Sequence, residues 1–370
     1  MKIFLVAGAR PNFVKIAALC RAFKIFKKKH LRSKAKVFVI NTGQHYDYLM
    51  SKKMFRDLNI PAPYVDLEVG SSSHGDQTAK IMSRFEKLLF RNRPDLVMVV
   101  GDVNSTMACS LVAAKMQIPI AHVESGLRSF DRTMPEEINR LVTDSVADFL
   151  FTSCRDADRN LQREGIAKGK IFFVGNVMVD TLLAHLSQAR KSKIKEKLKL
   201  RGPYAVLTLH RPSNVDCDRD FHRVLAALEI IQKQIPVIFP VHPRTAERLR
   251  RGVLSKKITA LKNLRLMPPA GYLDFICLLD GARLVLTDSG GIQEETTVLG
   301  VPCLTLRPNT ERPVTIGQGT NILIGKKKNI AGMALQILNG YSRRKPKRPP
   351  LWDGRASERI FNILAKKFGF

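Results

Sequence analysis

The sequence predicts an α/β protein built from two domains with parallel sheets. Three observations predict it. Apolar strand candidates alternate with amphipathic helical stretches along the whole chain. The strands are continuous runs of Val, Ile, Leu and Phe, which implies burial on both faces and helices on each side of a parallel sheet. A charged stretch near residues 186–203, including Arg190-Lys191-Ser192-Lys193-Ile194-Lys195-Glu196-Lys197 and closed by Gly202-Pro203, separates one such series from a second.

In the first series, strands are expected at Ile3–Val6, Lys36–Asn41, Leu96–Val100, Ile118–Val123, Phe149–Thr152 and Ile171–Val174. Helices are expected at Val14–Lys29, Gln77–Phe90, Ser105–Lys115 and Glu136–Ala147. The second series gives strands at Tyr204–Leu209, Val237–Val241, Leu264–Met267, Leu284–Thr287 and Cys303–Leu306. The stretch Arg343 to Pro350 reads as a stiff basic linker. It leads to a last helix at about Ala356 to Phe368.

Composition narrows the function classes. At 370 residues and 45% apolar content the chain can build two cores. Apolar runs are broken by Gly, Pro or charge well before the length a bilayer demands, so no membrane span is expected. Met1 to Gly8 is too short for a signal peptide and reads as a first buried strand. Six cysteines stand singly, without a Cys-x-x-Cys pair, which suits a reducing cytoplasm and argues against a zinc site. The formal charge of +30 raises nucleic acid or an anionic membrane surface as a partner. The excess is dispersed over helix ends and linkers without interleaved aromatics, so it is read as solvated surface, with no specific nucleic acid and no membrane.

The polar clusters follow strands, where parallel sheets place ligands. They include Gly8-Ala9-Arg10-Pro11-Asn12, Thr42-Gly43-Gln44-His45, Gly101-Asp102, His122-x-Glu124, His210-Arg211, His242-Pro243-Arg244 and Asp288-Ser289-Gly290-Gly291. Two such edges facing one another would make a deep interdomain cleft. Gly8-Ala9-Arg10 opens a helix. It is either an anion site, with free N–H groups and the Arg10 guanidinium as donors, or a tight turn with a solvated Arg. Asp288-Ser289-Gly290-Gly291 offers a second phosphate turn, with Glu294 or Glu295 placed to accept from a ribose diol; the alternative is a capped helix with Glu in its first turn. No complete G-x-G-x-x-G follows a strand, so no dinucleotide cofactor is expected. The histidines lack metal-ligand helix spacing, so no metal is expected.

Three carboxylates are candidates for acid/base chemistry. Asp102 either handles a proton or caps the helix that follows. Glu124 closes an apolar strand, where an ionised carboxylate is costly unless paired. Glu136 and Glu137 are adjacent in a helix, about 100° apart, so only one faces a cleft. Glu136 stands four residues before Arg140, and a surface pair between them is its alternative.

Assembled in order, these residues resemble the non-hydrolysing UDP-N-acetylglucosamine 2-epimerase family. The resemblance is carried by Gly8-Ala-Arg10-Pro-Asn-x-x-Lys15, Thr42-Gly-Gln-His45, Gly101-Asp102, His122-Val-Glu124-Ser-Gly-Leu-Arg128, Pro135-Glu136-Glu-Ile-Asn139-Arg140, Val174-Gly-Asn176, His210-Arg211 and Asp288-Ser-Gly-Gly-Ile-Gln-Glu-Glu295. It implies a glycosyltransferase type B-like fold of two Rossmann-like domains. The first is residues 1–180 completed by the helix at 353–370, and the second is residues 200–345. It also implies a homodimer and reversible epimerisation at C2 of UDP-N-acetylglucosamine to UDP-N-acetylmannosamine. The route is loss of UDP with the C2 proton, a bound 2-acetamidoglucal, and re-addition, without a cofactor.

By the same resemblance Asp102, Glu124 and Glu136 are the acid/base set. Arg10, Lys15, His210 and the Ser289-Gly290-Gly291 turn hold the diphosphate, and Glu295 the ribose. Gln44, His45, Arg211 and His242 match positions where bacterial relatives bind a second UDP-sugar as activator. The chain departs from the family pattern at Ser213, where Glu is common, and mildly at Ala9, Asn12 and Ser125. Alternatives are an epimerase of a modified sugar such as a UDP-diacetamido-uronic acid, a glycosyltransferase of the same fold, and a nucleic-acid-binding protein.

Overall fold

In the computed structural model, residues 1–44, 54–241, 243–249, 257–325, 328–340 and 346–370 are described. The chain divides into two compact units, Met1–Leu183 with Pro350–Phe370, and Ala184–Pro349.

Among the described residues the first unit holds seven parallel strands: β1 (Lys2–Ala7), β2 (Lys36–Asn41), β3 (Val65–Asp66), β4 (Leu96–Val100), β5 (Ile120–Ser125), β6 (Phe149–Thr152) and β7 (Ile171–Phe173). Their order is β3-β2-β1-β4-β5-β6-β7. The second unit holds β8 (Ala205–Thr208), β9 (Val237–Pro240), β10 (Leu264–Met267), β11 (Leu284–Thr287), β12 (Cys303–Thr305) and β13 (Asn321–Leu323), in the order β10-β9-β8-β11-β12-β13. Both orders reverse direction beside their first strand. That reversal opens a crevice at the carboxyl ends of the two strands flanking it, β1 and β4 in one unit and β8 and β11 in the other.

The apolar runs account for the sheets. Every residue of β4 is buried, and Phe4, Phe85, Val97 and Leu150 belong to one core. Leu207, Phe221, Phe239 and Leu286 belong to the core of the second unit. Trp352 is buried in the first unit, where its indole N–H donates to the Ser153 carbonyl at 2.8 Å. The following helix, Ala356–Phe368, packs on the helix Arg10–Lys29 through Phe361 and Phe23, whose ring centroids lie 5.3 Å apart. Among the described residues no helix is long and apolar enough to cross a membrane.

The differences from the sequence reading are local. The first helix begins at Arg10, four residues before the expected Val14, because Pro11 falls in its first turn, where a missing N–H costs nothing. Strands β3 and β13 were not expected; they are two and three residues long, too short to show a period. The charged run contains only the single-turn helix Ile194–Lys197.

Candidate active site

In the first unit the polar residues gather at the β1/β4 switch point. Asn12, in the first turn of the helix after β1, folds its side chain back. Its Oδ1 accepts from the Ala9 N–H at 3.0 Å and the Gly8 N–H at 3.4 Å, while its Nδ2 donates to the Val100 carbonyl at 2.9 Å. The sequence offered this helix start as an anion site or a tight turn; in the structure the Gly8 and Ala9 N–H groups that precede it go to Asn12. Lys15, one turn further along, is buried and pairs with Glu124.

Glu124 lies in β5 with φ +71°, and the pairing with β6 shifts register between Val123 and Ser125. A left-handed Glu costs about 1–3 kcal/mol, a strain that concentrates at functional positions. Gly101, at the end of β4, has φ +69°, and a Cβ there would lie 2.6 Å from Lys15 Nζ and 3.5 Å from Glu124 Oε2. The glycine therefore lets the β4 turn close onto the Lys15–Glu124 pair.

Asp102 does not cap the next helix, whose N-cap is Val103. Its carboxylate is about a third exposed and meets Arg140 Nη1 at 2.5 Å, while its carbonyl accepts from Asn139 Nδ2 at 2.9 Å. The surface pair with Arg140 that was the alternative reading of Glu136 is not formed. Arg140 pairs instead with the buried Glu137, three residues away, which also accepts the N–H groups of Ser129 at 3.0 Å and Phe130 at 2.9 Å. Burial pushes the Glu137 carboxyl up, but those bonds and Arg140 outweigh it and hold it below the usual carboxylate range. Glu136, half-buried at the start of the same helix, has no ion pair among the described residues.

In the second unit the hub is Asp288, fully buried at the end of β11. It accepts from the N–H groups of His210 and Arg211 at 3.1 and 3.0 Å and from Asn214 Nδ2 at 3.1 Å, and His210 Nδ1 lies 3.0 Å away. Burial raises its carboxyl, and His210 with these donors overcomes that and lowers it. Asp288 thus locks the chain leaving β8 to the chain leaving β11 across the second switch point.

Ser289 then begins the helix Gly290–Leu299. A Cβ at Gly290 would sit 2.4 Å from Arg312 Nη1, so glycine is what admits the guanidinium beside the helix start. Arg312 is held by Glu294 at 2.8 Å and Glu311 at 3.4 Å. Arg307 grips Glu311 with two bonds, of 2.7 and 2.9 Å. A helix N-terminus with a fixed guanidinium beside it suits a phosphate. Glu295 is buried and its carboxyl is pushed up to about 8, first by burial and then by Glu294. Glu294 Oε1 is taken by Arg312, whereas its Oε2 is buried without a hydrogen-bond partner among the described residues.

Of the residues singled out in the sequence, Lys15, Asp102 and Glu124 come together at the first switch point, and His210, Ser289 and Gly290 at the second. Gln44 is buried and accepts from Ser105 Oγ at 2.8 Å, and Arg211 Nη2 lies 3.9 Å from Glu311 Oε1. Arg10 opens its helix, but its side chain lies outside the described residues, as do His45 and His242. Asp144, Arg140, Asn12, Asp288 and Arg312 were not assigned roles from sequence. The alternation of Arg and Glu at Arg307, Glu311 and Arg312 was a usable signal for a guanidinium clamp.

A family model described as UDP-N-acetylglucosamine 2-epimerase matches residues 27–365. The UDP-N-acetylglucosamine 2-epimerase of Methanocaldococcus jannaschii is 41% identical over 98% of this chain and 99% of its own length. The UDP-2,3-diacetamido-2,3-dideoxy-D-glucuronate 2-epimerase of Pseudomonas aeruginosa is 38% identical over 99% of this chain and its full length. The solved M. jannaschii structure, in complex with UDP-GlcNAc and UDP, superposes with a TM-score of 0.90 over 99% of this chain and all of that one. The glycosyltransferase type B-like class expected from the sequence, with two parallel-sheet α/β domains, is thus supported.

Proposed function

The chain belongs to the UDP-N-acetylglucosamine 2-epimerase family, a family of isomerases, and on that premise we propose that it interconverts UDP-N-acetylglucosamine and UDP-N-acetylmannosamine. The observation that carries the reading is the set of carboxylate–cation pairs, Glu124 with Lys15 and Asp102 with Arg140, at the first switch point. Inverting C2 without a nicotinamide requires removing its proton and returning one to the other face, which takes at least two acid/base groups. In this proposal Asp102, Glu124 and Glu136 serve that chemistry. UDP leaves as the C2 proton is lost, 2-acetamidoglucal and UDP stay bound, and UDP adds back as C2 is reprotonated.

The UDP would be taken by the second unit. His210 and the Ser289-Gly290-Gly291 turn are assigned to the diphosphate, as are Arg10 and Lys15, and Glu295 to the ribose. Gln44, His45, Arg211 and His242 are assigned to a second UDP-sugar acting as activator. The working form is proposed to be a cytoplasmic homodimer supplying polysaccharide synthesis. The second reading, epimerisation of a UDP-diacetamido-uronic acid, is favoured only by the full-length similarity to the P. aeruginosa enzyme.

Incubating the protein with UDP-N-acetylglucosamine in deuterium oxide tests the proposal. Deuterium at C2 and appearance of the manno epimer are expected by NMR. Neither appearing, at substrate levels high enough to fill an activator site, sinks it; turnover of only the diacetamido-uronate sugar replaces it with the second reading.

A further inference from the structure

One buried titratable group at the first switch point has no part in the scheme above. His122, two residues before Glu124 in β5, is wholly buried. Its Nε2 lies 2.8 Å from the Gly101 carbonyl oxygen, and its Nδ1 lies 2.6 Å from Asp144 Oδ1. A peptide carbonyl has no proton to give, so Nε2 donates to it. Asp144 also accepts from the Gly126 N–H at 3.0 Å and pairs with Arg128 at 2.7 Å. Burial raises its carboxyl, and His122 with Arg128 outweighs that and lowers it. With the Arg128 guanidinium and the Gly126 N–H on its other oxygen, Asp144 is held as the carboxylate and has no proton to give either, so Nδ1 donates as well.

The charges close around this assignment. His122 and Arg128 supply two cations, and Asp144 and Glu164 supply two anions, with Arg128 Nη2 2.6 Å from Glu164. Buried charges of this kind are tolerated when each is paired and hydrogen-bonded.

We propose that His122 is a positioning residue with protons on both ring nitrogens, and that, anchored by Asp144, it fixes the Gly101-Asp102 turn against Glu124. Gly101 has its N–H bonded to the Val123 carbonyl at 3.0 Å and its own carbonyl bonded to His122. Both polar groups of the residue before Asp102 are therefore tied to the strand that carries Glu124. The separation of the two carboxylates is set by a rigid imidazole and not by a flexible side chain. The inference rests on the roles proposed for Asp102 and Glu124.

NMR of protein labelled with 15N-histidine, with the signal assigned by its loss in His122→Gln, tests the ring directly. Two ring N–H protons, both slow to exchange with solvent, are expected for His122; a single ring proton overturns the proposal. Asp144→Asn, checked for folding by circular dichroism, is expected to lower kcat about 10²-fold, the cost of a misplaced acid/base group. KM should be unchanged, because the anchor touches none of the proposed UDP ligands. Unchanged kcat in the folded variant overturns the proposal, and if that variant does not fold, the ring protons of the native protein decide alone. Failure of the epimerase reading looks different: the native protein then puts no deuterium into C2, whatever its ring protons show.

Discussion

The two switch points share a topology and differ in how they treat charge. At the first, carboxylates are paired with cations: Lys15 on Glu124, Arg140 on Glu137 and on the partly exposed Asp102, Arg128 on Asp144. At the second, Asp288 is satisfied largely by N–H donors from the backbone and Asn214, Arg312 is held beside a helix start, and Glu295 has no ion pair among the described residues. The same sheet order therefore supports two tasks. Paired carboxylates of fixed geometry suit proton transfer at carbon, whereas oriented N–H groups and a held guanidinium suit an anionic ligand.

The largest expected effect tests whether the tasks separate in this way. Glu124→Gln keeps the size of the side chain and removes its acid/base function. It should cut turnover by about 10²–10⁴-fold while leaving UDP affinity in place. Asp288→Asn should do the reverse, weakening UDP binding, measured by titration calorimetry, by more than it lowers the rate at saturating substrate. If Glu124→Gln costs binding and spares turnover, the division between the two switch points is wrong.

A second contrast lies within one helix turn. Glu137→Ala leaves Arg140 buried beside an empty position and strips acceptors from the Ser129 and Phe130 N–H groups. Breaking a buried pair of this kind costs about 3–5 kcal/mol, readable in a urea titration. Glu136→Gln, at a half-buried position without an ion pair among the described residues, should leave the urea midpoint within about 0.5 kcal/mol of the native protein. In the proposed scheme it should still lower turnover. A stability loss at Glu136 comparable with that at Glu137 would show that the helix face has been read wrongly.

That contrast also marks where the sequence stops being legible. The strands were readable as short apolar runs: Lys36–Asn41, Leu96–Val100, Phe149–Thr152, Leu264–Met267 and Leu284–Thr287 form over the residues expected, and Leu96–Val100 and Leu284–Thr287 are buried throughout. The clusters after strands were readable because a parallel sheet ends its strands where ligands sit. Pairings were not, because they depend on which of two side chains a helix turns inward. Spacing of four offered Glu136 a pair with Arg140 as the alternative to an acid/base role, and the fold pairs Arg140 with Glu137 at a spacing of three. Asp288 looked like the first letter of a phosphate turn, and only the packing of β8 against β11 shows it holding His210 and Arg211. The Asn12 side chain could not be placed on the Gly8 and Ala9 N–H groups without knowing that Pro11 lies inside the helix.

The smallest predicted effect concerns the buried carboxyl of Glu295. Glu295 has its carboxyl raised to about 8 by burial and by Glu294, against an ordinary value near 4.5. The folded state therefore holds a proton between about pH 5 and 8 that the unfolded chain has already released, so stability falls as pH rises through that window and levels off above it. Glu295→Gln removes the titration, so the gap between native and variant urea midpoints should change by this sign between pH 5 and 8 and be flat below. UDP should reduce the native slope if its ribose donates to the ionised carboxylate, because that bond favours the charged form. A native slope indifferent to saturating UDP would place the ribose elsewhere, and would leave Glu295 as a buried acid of the second unit's fold.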